Sequence, residues 1–204
     1  MKNFFVTLVT LLLLAQGNAR ASLFTVDAFS DSSTVGQMPN TAPGTGVDTG
    51  IYLSAGEAFT VTADPNDLWN AGALPRWSNA DGLSVSLYAT GSDESGQQAG
   101  TLIGQNYGLL TQSGLSAPYG ALVGEIGGTF FLLGNNFSGP APASGTLALF
   151  YWDENNYDNS GSIVADVRVA NVPEPGSFIL LGLGLIALVA FARRATNREA
   201  PTNG

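Results

Sequence analysis

Between Glu57 and Ala170, short runs rich in β-branched and aromatic residues alternate with clusters of Gly, Asn, Asp and Pro, and no long stretch carries apolar residues at helical spacing. The runs EAFTVTA (Glu57–Ala63), LSVSLYA (Leu83–Ala89), GALVGEI (Gly120–Ile126), GTFFLLG (Gly128–Gly134), GTLALFYW (Gly145–Trp152) and SIVADVRVA (Ser162–Ala170) predict strands. In the last of these, Ile163, Ala165, Val167 and Val169 share one face while Asp166 and Arg168 point outward, the period-two pattern of a half-buried sheet. ATGSDESGQQAGT (Ala89–Thr101) predicts a polar loop. Roughly eight strands of this kind make an all-β sandwich the economical architecture.

The two ends follow a different pattern. Lys2 precedes an apolar run from Phe4 to Ala15, and Ala19-Arg20-Ala21 places small residues where signal peptidase reads. This predicts a secretory signal helix over residues 1–21 and a mature domain over residues 22–171. Near the C-terminus, Phe178–Ala192 is apolar throughout and Arg193-Arg194 follow at once. Fifteen helical residues reach about 22 Å, and flanking small residues with snorkelling arginines extend that toward a ~30 Å hydrocarbon core. A transmembrane helix with a cytoplasmic C-terminus is expected, since the arginines follow it. Residues 198–204 then form a cytoplasmic tail.

Val172-Pro173-Glu174-Pro175 stands just before that span, and its two prolines hold the backbone extended. The order Pro-Glu-Pro, short glycine-rich apolar segment, arginine cluster resembles the PEP-CTERM sorting signal of Gram-negative bacteria over residues 172–197. The resemblance implies recognition by an exosortase, transient anchoring in the inner membrane, and delivery to the cell surface or beyond.

Charge narrows the ligand classes. From Ser22 to Asn171 there are fourteen acidic side chains against two basic ones, Arg76 and Arg168, a net charge of −12. Nucleic acid is excluded on this balance, because phosphate binding needs lysine and arginine. Cations and neutral sugars remain. The chain has no Cys and no His, so disulfides, thiolate nucleophiles and the commonest general base are all absent. A binding or structural protein is expected rather than an enzyme; a carboxylate pair such as Asp81 with Glu125 is the one glycosidase arrangement left, and no spacing singles it out.

The polar side chains concentrate in FYWDENNYDNSGS (Phe150–Ser162). Asp153, Asn155, Asn156, Asp158 and Asn159 put five oxygen donors within seven residues, the chemistry a hard cation such as Ca2+ selects. The spacing is not that of an EF-hand, because the twelfth position from Asp153 is Val164. Asn and Asp also favour plain turns, so composition leaves both readings open. Trp69, Trp77, Tyr151 and Trp152 are candidates either for core packing or for stacking on a sugar.

Three stretches are similar to the galactophilic PA-IL-like bacterial lectins: Asp48–Gly82 in part, Gly120–Gly127, and above all GTLALFYWDENNYDNSGSIVADV (Gly145–Val167). The resemblance implies a jelly-roll-like, galactose-binding-domain-like sandwich with one calcium bridging protein and sugar hydroxyls. It implies metal ligation by Asp153, Asp158 and Asn159, by a carbonyl of Asn155, and by a carbonyl at Trp69. It further implies a sugar-facing rim at Asp153, Glu154, Asn155 and Asp158. Two features depart from that pattern. The loop is two residues shorter, and the histidine that contacts sugar has no counterpart. An extra segment around Leu83–Ser113 also interrupts the likeness. The expectation is a calcium-dependent carbohydrate-binding domain with extracellular polysaccharide as its candidate partner, and a structural envelope or matrix protein stabilised by calcium as the alternative.

Overall fold

The computed structural model describes residues 20–34, 44–169 and 181–189. Arg20–Ala170 form a compact unit of their own. Its strands are β1 (Arg20–Asp27), β2 (Val47–Leu53), β3 (Ala58–Ala63), β4 (Trp69–Asn70), β5 (Trp77–Ser78), β6 (Leu87–Tyr88) and β7 (Leu102–Gly104). They continue as β8 (Leu109–Gln112), β9 (Leu115–Pro118), β10 (Leu122–Ile126), β11 (Thr129–Leu132), β12 (Asn136–Pro140), β13 (Gly145–Tyr151) and β14 (Ser162–Val169).

Eight of these strands build two antiparallel four-stranded sheets, ordered β1-β14-β3-β12 and β11-β10-β13-β2. Their inner faces share one core. Val26, Val61, Ile163, Ala165 and Val167 come from the first sheet, and Leu53, Leu122, Ile126, Leu147 and Leu149 from the second. Each large aliphatic side chain removed from water contributes about 1.5–3 kcal/mol. Six predicted runs can be compared with the strands. Five coincide with β3, β10, β11, β13 and β14, and the face expected for Ile163, Ala165 and Val167 is the buried one.

The sixth, Leu83–Ala89, needs correction. Only Leu87–Tyr88 is strand, because the backbone of Leu83 is committed elsewhere. Its N–H donates to Tyr119 O at 2.7 Å and its carbonyl accepts from Tyr107 N at 3.1 Å. Val85 is left exposed rather than facing a core.

Strand β10 is buried on both sides. Leu122 and Ile126 face the main core, while Val123 joins Ala121 and Trp152 beneath the β8–β9 hairpin. A third cluster of Leu68, Ala89 and Ile103 lies among the short strands β4 to β7.

Strand β1 begins two residues ahead of the expected mature start at Ser22. Otherwise the signal segment lies outside the described residues, as do Val172–Pro175, Arg193 and Arg194. Residues 181–189 are helical, and no helix among the described residues is long and apolar enough to cross a membrane.

Candidate metal and ligand site

Strand β13 ends at Tyr151, and the backbone of Trp152 is then pinned to residues 120 and 121: its N–H donates to Ala121 O at 2.9 Å and its carbonyl accepts from Gly120 N at 2.9 Å. The acidic loop therefore leaves the sheet in a fixed direction. Its next residue, Asp153, is held by its main chain. The Asp153 carbonyl accepts from Thr34 Oγ1 at 3.1 Å and Ser33 Oγ at 3.2 Å, and its N–H donates to Ser33 Oγ at 3.1 Å. These hydroxyls belong to the segment that follows β1, so the carboxylate position is set by two parts of the chain 120 residues apart.

Asp153 is only 5% exposed, and burial pushes its carboxyl up to about 6. Hydrogen bonds from the Asn155 N–H and the Asn159 side chain oppose that rise, and the neighbouring Asp158 charge adds to it. A carboxylate buried at this cost is one that a cation would relieve.

Two asparagines complete the inner side of the loop. Asn156 Nδ2 donates to Phe29 O at 2.8 Å and Asn159 Nδ2 to Ala28 O at 3.0 Å. Both residues are buried, and both leave Oδ1 without a hydrogen-bond partner among the described residues. The buried Tyr151 hydroxyl is a third group without a partner, and its pKa rises through burial and then through the Asp153 and Asp158 charges. Buried acceptors are normally paired, so orphaned oxygens in the same loop as a buried carboxylate fit a cation with oxygen ligands.

The sequence readings divide against this geometry. Asp153 and Asn159 come together, and Asp158 lies close enough for its charge to be felt at Asp153. Asn155 serves the loop itself: its N–H caps Asp153 Oδ1 at 3.2 Å and its Oδ1 accepts from Tyr157 N at 3.4 Å. Trp69 does reach the loop, since a Cβ added to Gly161 would lie 3.1 Å from Trp69 Cα. The main-chain pairing there belongs to the next residue. Asn70 N donates to Ser160 O at 2.8 Å, and Asn70 O accepts from Ser160 N at 3.0 Å. Glu154 is exposed and accepts from Tyr119 Oη at 3.1 Å. Among the described residues no group of three or more His, Cys, Asp or Glu side chains is placed to hold a metal. Any ion here would depend on amide and carbonyl oxygens beside two aspartates.

The aromatic candidates belong to the core. Trp69, Tyr151 and Trp152 are fully buried, and the Trp69 indole N–H donates to Gly120 O at 2.8 Å. Tyr151 and Trp152 occupy opposite faces, as strand geometry requires, one in each of two hydrophobic clusters. Trp77 packs, half-buried, on the third. Of the carboxylate pair considered for glycoside hydrolysis, Asp81 binds the Asn135 N–H at 2.8 Å and Glu125 binds the Gly128 N–H, and neither lines the cleft over the acidic loop.

That open cleft has a volume of about 100 Å³, and part of its wall is made of residues that pattern reading passed over. Arg76, Tyr107 and Tyr119 face Asp153, Glu154 and Asp158 across it. Tyr107 and Tyr119 meet edge to face with centroids 5.4 Å apart. The Arg76 Cζ lies 4.9 Å from the Tyr107 ring centroid, and Arg76 Nη1 stands 4.0 Å from Asp158 Oδ2. Tyr107 comes from the segment that interrupts the lectin likeness. The one available signal was Arg76 itself, half of the domain's basic side chains.

No curated protein matches the chain. Among solved structures, one described as the EclA N-terminal domain, a PllA-like lectin, is similar at 23% identity with a TM-score of 0.45, covering 74% of this chain and 98% of that one. Residues 171–194, which include Val172–Pro175 and both arginines of the expected sorting signal, match the family model described as the PEP-CTERM protein-sorting motif, and the chain carries that motif.

Proposed function

We propose that this is an exported, exosortase-sorted protein whose domain is a calcium-dependent carbohydrate-binding module with a jelly-roll-like sandwich. The single observation that carries the calcium reading is the buried Asp153 carboxylate, with the unpartnered Oδ1 atoms of Asn156 and Asn159 in the same loop. An ion ligated there has an oxygen-only first shell, as Ca2+ prefers, and keeps positions free for vicinal hydroxyls of a sugar. Asp153, Glu154, Asn155 and Asp158 line the cleft and offer acceptors to those hydroxyls. We read the module as a binder, not a catalyst, in keeping with a chain that has no His or Cys.

Within the sandwich, topology puts the acidic loop at a defined end of the β1–β14 pair. β1 and β14 pair from Arg20↔Val169 to Asp27↔Ser162. The first residue of β1 and the last of β14 therefore lie at one end of this pair, and the acidic loop, which runs from β13 into β14, lies at the other, roughly 23 Å away for eight residues at ~3.3 Å each. Sorting is proposed to proceed through a membrane-inserted helix over the apolar segment after Pro175, with Arg193 and Arg194 on the cytoplasmic side. Signal peptidase removes the N-terminal segment, and an exosortase processes the chain near the PEP motif.

The alternative is a structural envelope or matrix protein in which calcium only staples the fold. It draws on the same asparagines, because Asn156 and Asn159 each tie the loop to the carbonyls after β1. Calorimetric calcium titration followed by a glycan array on the calcium-loaded protein tests both. Calcium uptake with a glycan hit sustains the module; uptake with no hit favours the staple; no calcium uptake refutes both.

A further inference from the structure

The domain from Ser22 to Asn171 has two cationic side chains, and the structure uses them very differently. Arg168 is spent within its own strand, with Nε and Nη2 on Asp166 Oδ2 at 3.0 and 2.6 Å. Arg76 is held at the wall of the cleft. Nη1 donates to Ala71 O at 3.3 Å and Nη2 to Tyr107 Oη at 3.0 Å, with the Tyr107 ring beneath the guanidinium. Those bonds use two of the five N–H groups that a guanidinium carries. The nearest carboxylate, Asp158 Oδ2, stands at 4.0 Å, too far for a hydrogen bond. The remaining donors have no acceptor among the described residues. The group is thus fixed on two sides, a third exposed, and has a planar donor edge left over.

We propose that the cleft takes an acidic saccharide, a uronate whose ring hydroxyls meet the calcium-bearing loop and whose carboxylate pairs with Arg76. This rests on the calcium-dependent carbohydrate reading above and assigns its ligand class. A guanidinium matches a carboxylate bidentately, and charge-assisted pairs of this kind are about twice as strong as neutral ones. Without metal, the Asp153, Glu154 and Asp158 charges repel an anion. A Ca2+ on the loop would offset the Asp153 and Asp158 charges, leaving the donor edge of Arg76, still held by Ala71 and Tyr107, as the group that meets an anionic ligand. Acid preference is therefore a property of the calcium-loaded site alone. Tyr107, half-exposed and lining the cleft, positions the guanidinium through its hydroxyl.

The test uses the full chain in mild detergent with saturating calcium. Its ligands are trigalacturonate, trimannuronate and the carboxyl-reduced neutral counterpart of each. An acidic trimer binding at least fivefold more tightly than its reduced counterpart is expected. Arg76→Gln should bring that ratio below twofold while the calcium-induced rise in Tm persists, and Arg76→Lys should retain part of the ratio. If Arg76→Gln does not fold, Tyr107→Phe, which frees Nη2, should lower the ratio instead. Ratios below fivefold for both pairs in the unmodified protein overturn the acidic assignment and leave the carbohydrate reading standing. A ratio unchanged by every variant overturns the role of Arg76. Binding of no trimer, acidic or neutral, refutes the carbohydrate reading and this inference with it.

Discussion

Asn159 donates its side-chain amide to the carbonyl of Ala28 at 3.0 Å, joining positions 131 residues apart. Asn156 does the same with Phe29 at 2.8 Å. The acidic loop is thereby a clamp between the end of β1 and the start of β14, and its rigidity comes from side chains that each keep one oxygen uncommitted. Asn159→Ala should cost about 1–3 kcal/mol, the penalty for a buried carbonyl left without its donor. Urea unfolding against Asn66→Ala, an exposed amide that bonds only Asp64, measures it. Equal midpoints for the two variants would show that the clamp holds nothing.

Calcium bound only by the folded chain must stabilise it, by about 2.7 kcal/mol at a hundredfold excess over Kd. Asp153→Asn should remove that gain, because the amide supplies no charge to the ion. The same variant should melt higher than the unmodified protein when both are metal-free at pH 8, since it relieves a buried charge. An Asp153→Asn protein that still gained stability from calcium would place the ion elsewhere.

The pH dependence follows from the same carboxyl. Its folded value is about 6 against an ordinary 3.8, so the folded state holds the proton more tightly. The contribution to stability is complete below about pH 4 and is lost as pH rises through 6, by roughly 3 kcal/mol in the metal-free protein. Calcium reverses the trend, because ligation needs the carboxylate: its stabilising effect should be large at pH 8 and nearly absent at pH 5. Melting curves of the unmodified protein and Asp153→Asn, with calcium and with chelator, isolate this group from the other acids. Parallel pH profiles for the two proteins would remove Asp153 from the account.

Much of the sandwich was legible because its central strands obey simple alternation: β14 buries Ile163, Ala165 and Val167 and exposes Val164. The missed strands carry features that hide the pattern. β2 contains Gly50 at φ +66°, and its pairing with β13 is irregular between Thr146 and Ala148. β12 ends in Gly139-Pro140, which an edge strand tolerates because one side of its backbone needs no partner. β1 was obscured by the signal sequence that runs into it. At the site, the acidic donors were visible as composition, whereas Arg76, Tyr107 and the Ser33–Thr34 hydroxyls converge only through long-range pairing. No local pattern encodes that convergence.

Gly72 marks how closely the two turns approach. It sits at φ +110°, and a Cβ there would overlap Asp158 Oδ2. Gly72→Ala should therefore strain the backbone and displace Asp158, lowering calcium affinity by tenfold or more. The β14 pairing, remote from the turn, should stay intact. Calcium titration with far-ultraviolet circular dichroism as the folding control tests this; an unchanged affinity would exclude Asp158 from the ion.

Sorting and binding should separate cleanly by mutation, because Arg20–Ala170 form their own compact unit while the matched motif spans residues 171–194. In the sequence Glu174 is flanked by Pro173 and Pro175, residues that disfavour helix. Pro173→Ala with Glu174→Ala removes both the charge and one conformational restraint. The expected result is full-length chain accumulating in the membrane fraction, detected through a C-terminal tag, with little release to the surface or medium. The calcium-induced rise in Tm should be the same as in the unmodified protein. Normal processing of the double variant would show that the segment is read as a hinge and not as a signal; a lost calcium response would show that the motif contributes to the fold of the domain, against the division seen here.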